Sequence, residues 1–271
     1  MTLVLTLKAT PPGRVDMALL TPERLAGLGA REIEALPLEC GGRRIAAGGL
    51  FAVAGDDASQ VVVEGGSERL DRIGQGMARG AITVQGDAGA YLGRGMRGGS
   101  ITVAGGVGAY CGSAMKDGVI RVAGNAGDFL AAAIPGEHRG MQGGTLLVQG
   151  SAGDRAGDRL RRGMLLIEGD CGAYCASRMG AGTIAILGTV GANLGYAMRR
   201  GTVILSHPAD LPPTFADFGT HDLGFLRLLH GAWRSTLPGS RFAAMRDDAV
   251  RVRRFVGDLA NGGKGEVLVR A

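Results

Sequence analysis

The sequence predicts a mainly β chain, a right-handed parallel β-helix with coils of about 19 residues and small α/β caps at its N- and C-terminal ends. Three observations predict it. An apolar-x-apolar-x-Gly element recurs, closing on Gly65, Gly86, Gly105, Gly124, Gly150, Gly169 and Gly188 at spacings of 21, 19, 19, 26, 19 and 19. Alignment on that element lines up columns of like apolar residues. Glycine occurs 50 times while aromatics make up only 4% of the chain, so the core is lined by small and aliphatic side chains.

The repeats occupy residues 50–205. Residues 81–99 (AITVQGDAGAYLGRGMRGG) are followed at once by 100–118 (SITVAGGVGAYCGSAMKDG), and 164–182 by 183–201. The spacing of 26 absorbs an insertion near Pro135–Gly140. In each period a short alternating stretch such as Ile82-Thr83-Val84 places residues two apart on one strand face. Stacking the periods aligns Ile82, Ile101, Ile120, Leu146, Leu165, Ile184 and Val203, with a second column from Val84 to Leu205. Ile73 to Leu194 and Met77 to Met198 form a third and a fourth. No single period is stable alone, because only its neighbours cover its inward face. Steps such as Val84 to Leu92 to Met96 do not follow the sixes of a left-handed hexapeptide helix. Collagen is excluded by nine prolines and the absence of a glycine triplet.

The flanks differ. Residues 1–49 read as a strand–helix cap, with a strand over 3–7 and a helix opening at Thr21-Pro22-Glu23, proline at the first helical position. Residues 206–271 read as a second cap, with a helix over 223–233 and a final strand over 266–269. Open ends of such a stack expose unpaired strands, so caps are expected there.

The formal net charge of +5 rests almost entirely on arginine, Lys8, Lys116 and Lys264 being the only lysines. The arginines are scattered and aromatics for base stacking are few, which argues against nucleic acid and for an acidic partner or ligand. The N-terminus MTLVLTLKATPPG lacks the features of a signal peptide, and no run of about 18 apolar residues suggests a membrane span. Four cysteines at scattered spacing suggest no disulfide framework. The chain reads as cytoplasmic.

Several motifs suggest chemistry and yield to the repeat. Gly93-Arg94-Gly95-Met96-Arg97-Gly98 matches GxGxxG but falls at a repeat corner, not between a strand and a helix. Cys171 and Cys175 occupy apolar columns and read as small hydrophobes. His138, His207, His221 and His230 form no metal-ligand spacing, and only His138 lies in an inserted loop of the repeats. GGKGE (262–266) lacks the Ser/Thr of a phosphate-binding loop. Asp87 and Asp170 fall in turns. Tyr91, Tyr110, Phe129 and Tyr174 form a further column, either a stacking ladder or a docking stripe. Arg94 and Arg97 either contact an acidic group or are solvated. The expectation is a chain with no catalytic, cofactor-binding or metal-ligating residue.

The coil G-D-A-G-A-Y-L-G-R-G-M-R-G-G-S-I-T-V (86–103) resembles the GXGXG domain family. That family includes the C-terminal domain of the glutamate synthase large chain and the C subunit of formylmethanofuran dehydrogenases. LTPERLAGL (20–28) and RRFVGDLANGGKGEVLV (253–269) are similar to the ends of that free-standing C subunit. The resemblance implies a structural subunit without activity of its own. In archaea its partners carry molybdenum or tungsten and iron–sulfur clusters. In aerobic methylotrophic bacteria a similar C subunit belongs to a formyltransferase/hydrolase complex. That complex passes a formyl group from tetrahydromethanopterin to a methanofuran-type carrier and releases formate. The arginine- and alanine-rich composition favours the bacterial complex. Its partners would be a formyltransferase and an amidohydrolase-like subunit, and they, not this chain, would carry zinc and the carrier. The competing readings are the C subunit of a dehydrogenase, a separate glutamate synthase-type domain, and an independent β-helix enzyme acting on a polysaccharide or acyl donor.

The repeat makes a prediction independent of function. Val103→Asp buries an unpaired carboxylate in the stack and costs several kcal/mol, whereas in-frame removal of residues 100–118 preserves register and leaves a shorter folded rod. Denaturant unfolding of both variants checks this, and a harmless Val103→Asp beside an unfolded deletion would overturn the repeat.

Overall fold

In the computed structural model, which describes residues 1–246 and 250–271, the chain is mainly β. It contains one largely parallel sheet of thirteen strands and a second sheet of four. Strands Asp57–Ser67, Ala81–Ala88, Arg97–Val103, Asp117–Val122, Gln142–Val148, Arg162–Ile167, Thr183–Ile186 and Arg200–Leu205 lie side by side in chain order, all parallel. Their register is the repeat itself. Ile82 faces Ile101, Ile101 faces Ile120, and across the insertion Ile120 faces Leu146. The four apolar columns are buried throughout. Single bridges join Ala88, Val107, Ala126, Ala152, Cys171 and Val190 in a further column.

The turns pair as the strands do. Tyr91 donates its amide to the Ala109 carbonyl one repeat on, Gly93 to Ile73 one repeat back, and Gly95 to Ser113 one repeat on, each at 2.8 Å. The backbone achieves this by alternating hand. Residues 91, 93 and 95 have φ of +62°, +64° and +65°, and the same alternation recurs at 72/74/76, 110/112/114, 155/157/159, 174/176/178 and 193/195/197. Many of these residues are not glycine, although the left-handed region costs an L-residue roughly 1–2 kcal/mol. The inter-repeat hydrogen bonds hold them there, since a buried amide without a partner costs a comparable amount. At Gly93 glycine is also required by space, because a Cβ would run into Cδ1 of Ile120. Further along the same column Ala131 and Ala176 take this place with the same positive φ, where the strand residues in the position of Ile120 are Leu165 and Val203.

Both flanks continue the sheet as well as closing it. Thr2–Leu7 runs parallel to Asp57–Ser67, with Leu3 facing Val61 and Leu5 facing Val63, and Phe51–Ala54 lies antiparallel outside it. The helix expected at Thr21-Pro22-Glu23 is the short Pro22–Leu25, with Thr21 as N-cap residue. At the other end Lys264–Arg270 runs parallel to Arg200–Leu205, and Arg251–Gly257 and Ala216–Asp222 follow antiparallel. The final strand and the apolar helix expected from sequence are thus present, the helix spanning Phe225–Thr236. The antiparallel pair beyond the final strand is an addition to the sequence reading.

The outward face of the sheet explains where that helix lies. Thr83 and Thr102 are exposed, but the same face then carries Leu147, Leu166, Ala185, Ile204 and Leu268, all buried. Leu226 and Trp233 of the helix, together with Leu237, Phe242 and Val252, form one apolar cluster with them. Arg121 marks the boundary between the two halves. Its guanidinium donates to the Thr236 carbonyl at 2.7 Å, placing a cation at the negative end of the helix. Leu166→Ala is therefore expected to cost about 2–5 kcal/mol, while Thr102→Ala, on the same face but exposed, changes stability by less than about 0.5 kcal/mol. Urea midpoints of the two variants provide the comparison, and equal effects would remove the helix from the energetics of the stack.

Candidate functional site

The buried methionine column sets up the most distinctive surface of the molecule. The residue after each buried methionine or leucine of that column donates its amide to the preceding member, as Arg97 does to Met77, Lys116 to Met96 and Arg161 to Met141. This fixes the row Arg97, Lys116, Gln142, Arg161, Gly180 and Arg199 along one edge of the stack. Neighbouring rungs are about 4.8 Å apart, so the row runs for about 24 Å. Four of its six members are cations, and all four are exposed. Arg161 lies so close over Gly180 that a Cβ there would come within 3.1 Å of Nη1.

Two confluent clefts follow this row, sharing Arg139 and Gln142. The first, about 580 Å³, is lined by Arg94, Arg97, Lys116, Glu137, His138 and Arg139 among others. The second, about 460 Å³, adds Arg161, Arg162 and Arg200. The seven-residue lengthening of the repeat between Gly124 and Gly150 supplies one wall, folded back by an ion pair of Glu137 with Arg94 at 2.7 Å. His138 Nδ1 lies 3.2 Å from Arg159. Asp117, beside Lys116, turns its carboxylate onto the Gly118 amide at 2.8 Å. Among the described residues Arg97, Lys116, Arg139, Arg161, Arg162 and Arg200 have no acidic partner. Gln75 Oε1 and Arg94 Nε are buried in the first cleft without a hydrogen-bond partner.

The other sequence motifs occupy structural places. GxGxxG forms the left-handed turn described above. Cys171 and Cys175 are buried in the core, where a hydrogen bond between them, and then burial, push the Cys171 thiol well up. Cys111 is likewise pushed up by burial, to about 12. Thiols so held are poor nucleophiles. His221 reaches the Phe218 carbonyl at 2.9 Å, and His230 lies on the buried face of the helix, its ring centroid 5.5 Å from that of Trp233. Among the described residues no three His, Cys, Asp or Glu side chains converge as metal ligands. Tyr91, Tyr110 and Phe129 stack with centroids 5.3 and 4.8 Å apart. The next place in that column is Arg155, whose guanidinium sits 4.6 Å from the Tyr174 ring. No helix is long and apolar enough to cross a membrane among the described residues.

The turn carboxylates join repeats. Asp87 accepts from the Gly106 amide at 2.8 Å, and Asp71, Asp128 and Asp154 do the same for Ala90, Asp154 and Ala173. Asp170 accepts from both the amide and the hydroxyl of Thr189, which hold its carboxyl below the usual range. Asp158, buried, accepts from Ser177 and from both Nε and Nη2 of Arg178. These acids act as clips between neighbours rather than as a converging pair for acid–base chemistry.

A mainly β repeat chain that ties several turn carboxylates to its own backbone and gathers cations along an open groove is the class of protein the structure defines. No protein-family model matches the chain. The C subunit of the formyltransferase/hydrolase complex Fhc of Methylorubrum extorquens is 52% identical over 267 residues, which is 98% of this chain and 99% of that protein. A chain of the crystal structure of the formyltransferase/hydrolase complex FhcABCD from Methylorubrum extorquens, determined with methylofuran, superposes with a TM-score of 0.93 and 42% identity over 99% of both chains. The chain belongs to the family of formyltransferase/hydrolase complex C subunits.

The Asp170 clip predicts a pH dependence. Its folded pKa is depressed, so its contribution is present above the ordinary carboxylate pKa of about 3.9 and is lost as pH falls through the lower folded value. Asp170→Ala should therefore melt below the wild type at neutral pH and converge with it at about pH 2. A constant difference across that range, read by thermal melts, would show that the clip is not electrostatic.

Proposed function

We propose that this chain is a non-catalytic structural subunit of a formyltransferase/hydrolase complex. That complex moves a formyl group from tetrahydromethanopterin to a methanofuran-type carrier and releases formate in one-carbon oxidation. The observation that carries the reading is the likeness to the Fhc C subunit over nearly the whole length of both chains. Its partners in this reading are a formyltransferase and an amidohydrolase-like subunit in the cytoplasm. They hold the zinc and the carrier, and no residue of this chain acts as a catalytic group or a ligand to metal or cofactor. The separation of the carboxylates into single clips along the stack supports that assignment.

The architecture that suits this role is a right-handed parallel β-helix over 50–205, with an N-terminal cap over 1–49 and a C-terminal cap over 206–271. Pairing of residues 19 apart in both strands and turns supports the helix, and parallel crossovers are overwhelmingly right-handed. Such a rod displays long, regular faces to neighbouring subunits while needing no closed pocket of its own.

Gentle purification of the tagged chain from its native host, with mass spectrometry of what co-elutes, tests the reading. The expected result is recovery of a formyltransferase and an amidohydrolase-like chain, with formyl transfer by the assembly and none by the isolated chain. A solitary chain that turns over a small substrate would replace the scaffold by an enzyme.

A further inference from the structure

We propose that the basic groove along the methionine edge is a docking surface for an extended acidic segment of a partner subunit. This rests on the reading of the chain as a member of a hetero-oligomeric complex. Arg97, Lys116, Arg161 and Arg199 stand on successive or alternate rungs, and Arg139, Arg162 and Arg200 face the same two clefts or border them. Cations so crowded repel one another, and a folded chain ordinarily intersperses acids among them. Here the acids of the turns are engaged elsewhere, Asp117 with Gly118, Asp158 with Arg178 and Glu137 with Arg94. The charge is left for something outside the chain to neutralise.

The shape of the site narrows what that is. A row of about 24 Å matches about seven residues of extended chain at 3.3 Å each. It is far longer than one or two carboxylates would need. The clefts are open along their length and are lined by no Phe, Tyr or Trp, His138 being the one ring in them, so successive bases would lack the row of aromatic faces that a single strand stacks on. Planar guanidinium groups recognise carboxylates through paired hydrogen bonds. Gln75 Oε1 and Arg94 Nε lie buried without partners at one end of the row. An acidic strand or loop laid along the rungs would meet carboxylate-binding groups over its whole length. Electrostatic complementarity of this kind sets the docking register and speeds association.

The test reconstitutes the complex from the full chain and its partner subunits. Three forms of the chain are compared: wild type, R97E/R161E/R162E, and a control with equal charge change on the exposed N-terminal residues, R24E/R31E/R43E. The groove variant should recover about tenfold less partner than the control, and wild-type recovery should fall with rising salt. All six residues are exposed, so the variants should melt as the wild type does, and R97Q/R161Q provides a milder form should the triple reversal fail to fold. Equal recovery by groove and control variants would overturn the proposal while leaving membership of the complex intact. Normal assembly combined with loss of binding to a free oligo-glutamate peptide would also overturn it, assigning the groove to a soluble acidic ligand. Retention of an RNA probe by the wild type alone would overturn it in favour of nucleic acid. If the wild type recovers no partner at all, both this inference and the subunit reading fall together.

Discussion

Everything in this molecule hangs on hydrogen bonding between a residue and its counterpart one repeat away. In an ordinary parallel sheet that bonding stops where the strands end, and the connections satisfy their own polar groups. Here it continues through the corner. Alternating left-handed residues let the turn point one amide forward and the next one back, as Tyr91, Gly93 and Gly95 do. Apolar columns, aromatic stacking and aspartate clips are all secondary to that constraint. Once every backbone group must meet its equivalent, like side chains are forced to lie over like.

This is why so much of the fold is legible in the sequence. The inward columns can be read from Ile82, Ile101 and Ile120 without any knowledge of the corner, because a fixed period of 19 in apolar residues is what stacked coils of equal length require. The corner itself is only half legible. Glycine at 93 and 95 betrays a left-handed backbone, but Tyr91, Arg155 and Asn193 adopt the same conformation with nothing in their identity to say so. Neighbouring repeats impose it. The helix-binding face is present in the sequence as a loss of alternation, AITV and SITV giving way to TLLV and MLLI. That signal is masked because the inward positions alone already account for the repeat. Likewise Leu3 and Leu5 read as part of a separate cap, although they extend the inward columns by one more strand.

The candidate site is legible in part. Arg94 and Arg97 stand out as turn cations, whereas Arg161 is seen to occupy the place of Arg97 only once the insertion has been aligned out. The chain's acids tell the complementary story. Glu168, buried, is raised chiefly by burial and held against that by the Arg241 amide, so that a carboxylate which could have suggested catalysis instead fastens the C-terminal segment to the stack. A repeat protein disperses its reactive groups by construction, since each repeat offers one corner and the corners point the same way. Charge accumulates in rows more readily than chemistry assembles in pockets.

The change from threonine to leucine on the outward face carries a consequence for how such a chain can change length. A stack of equivalent repeats has no intrinsic reason to stop at any particular number, and repeats could be gained or lost anywhere. The helix over 225–236 removes that freedom from one half. It spans a fixed set of rungs, bounded by the Arg121 contact at its C-terminal end and by the closing strands beyond Leu205. Repeats on the threonine side are interchangeable units, while those beneath the helix form a template of set dimension. The molecule is thus divided into an extensible arm and a calibrated foot, and repeats can be added only in the arm.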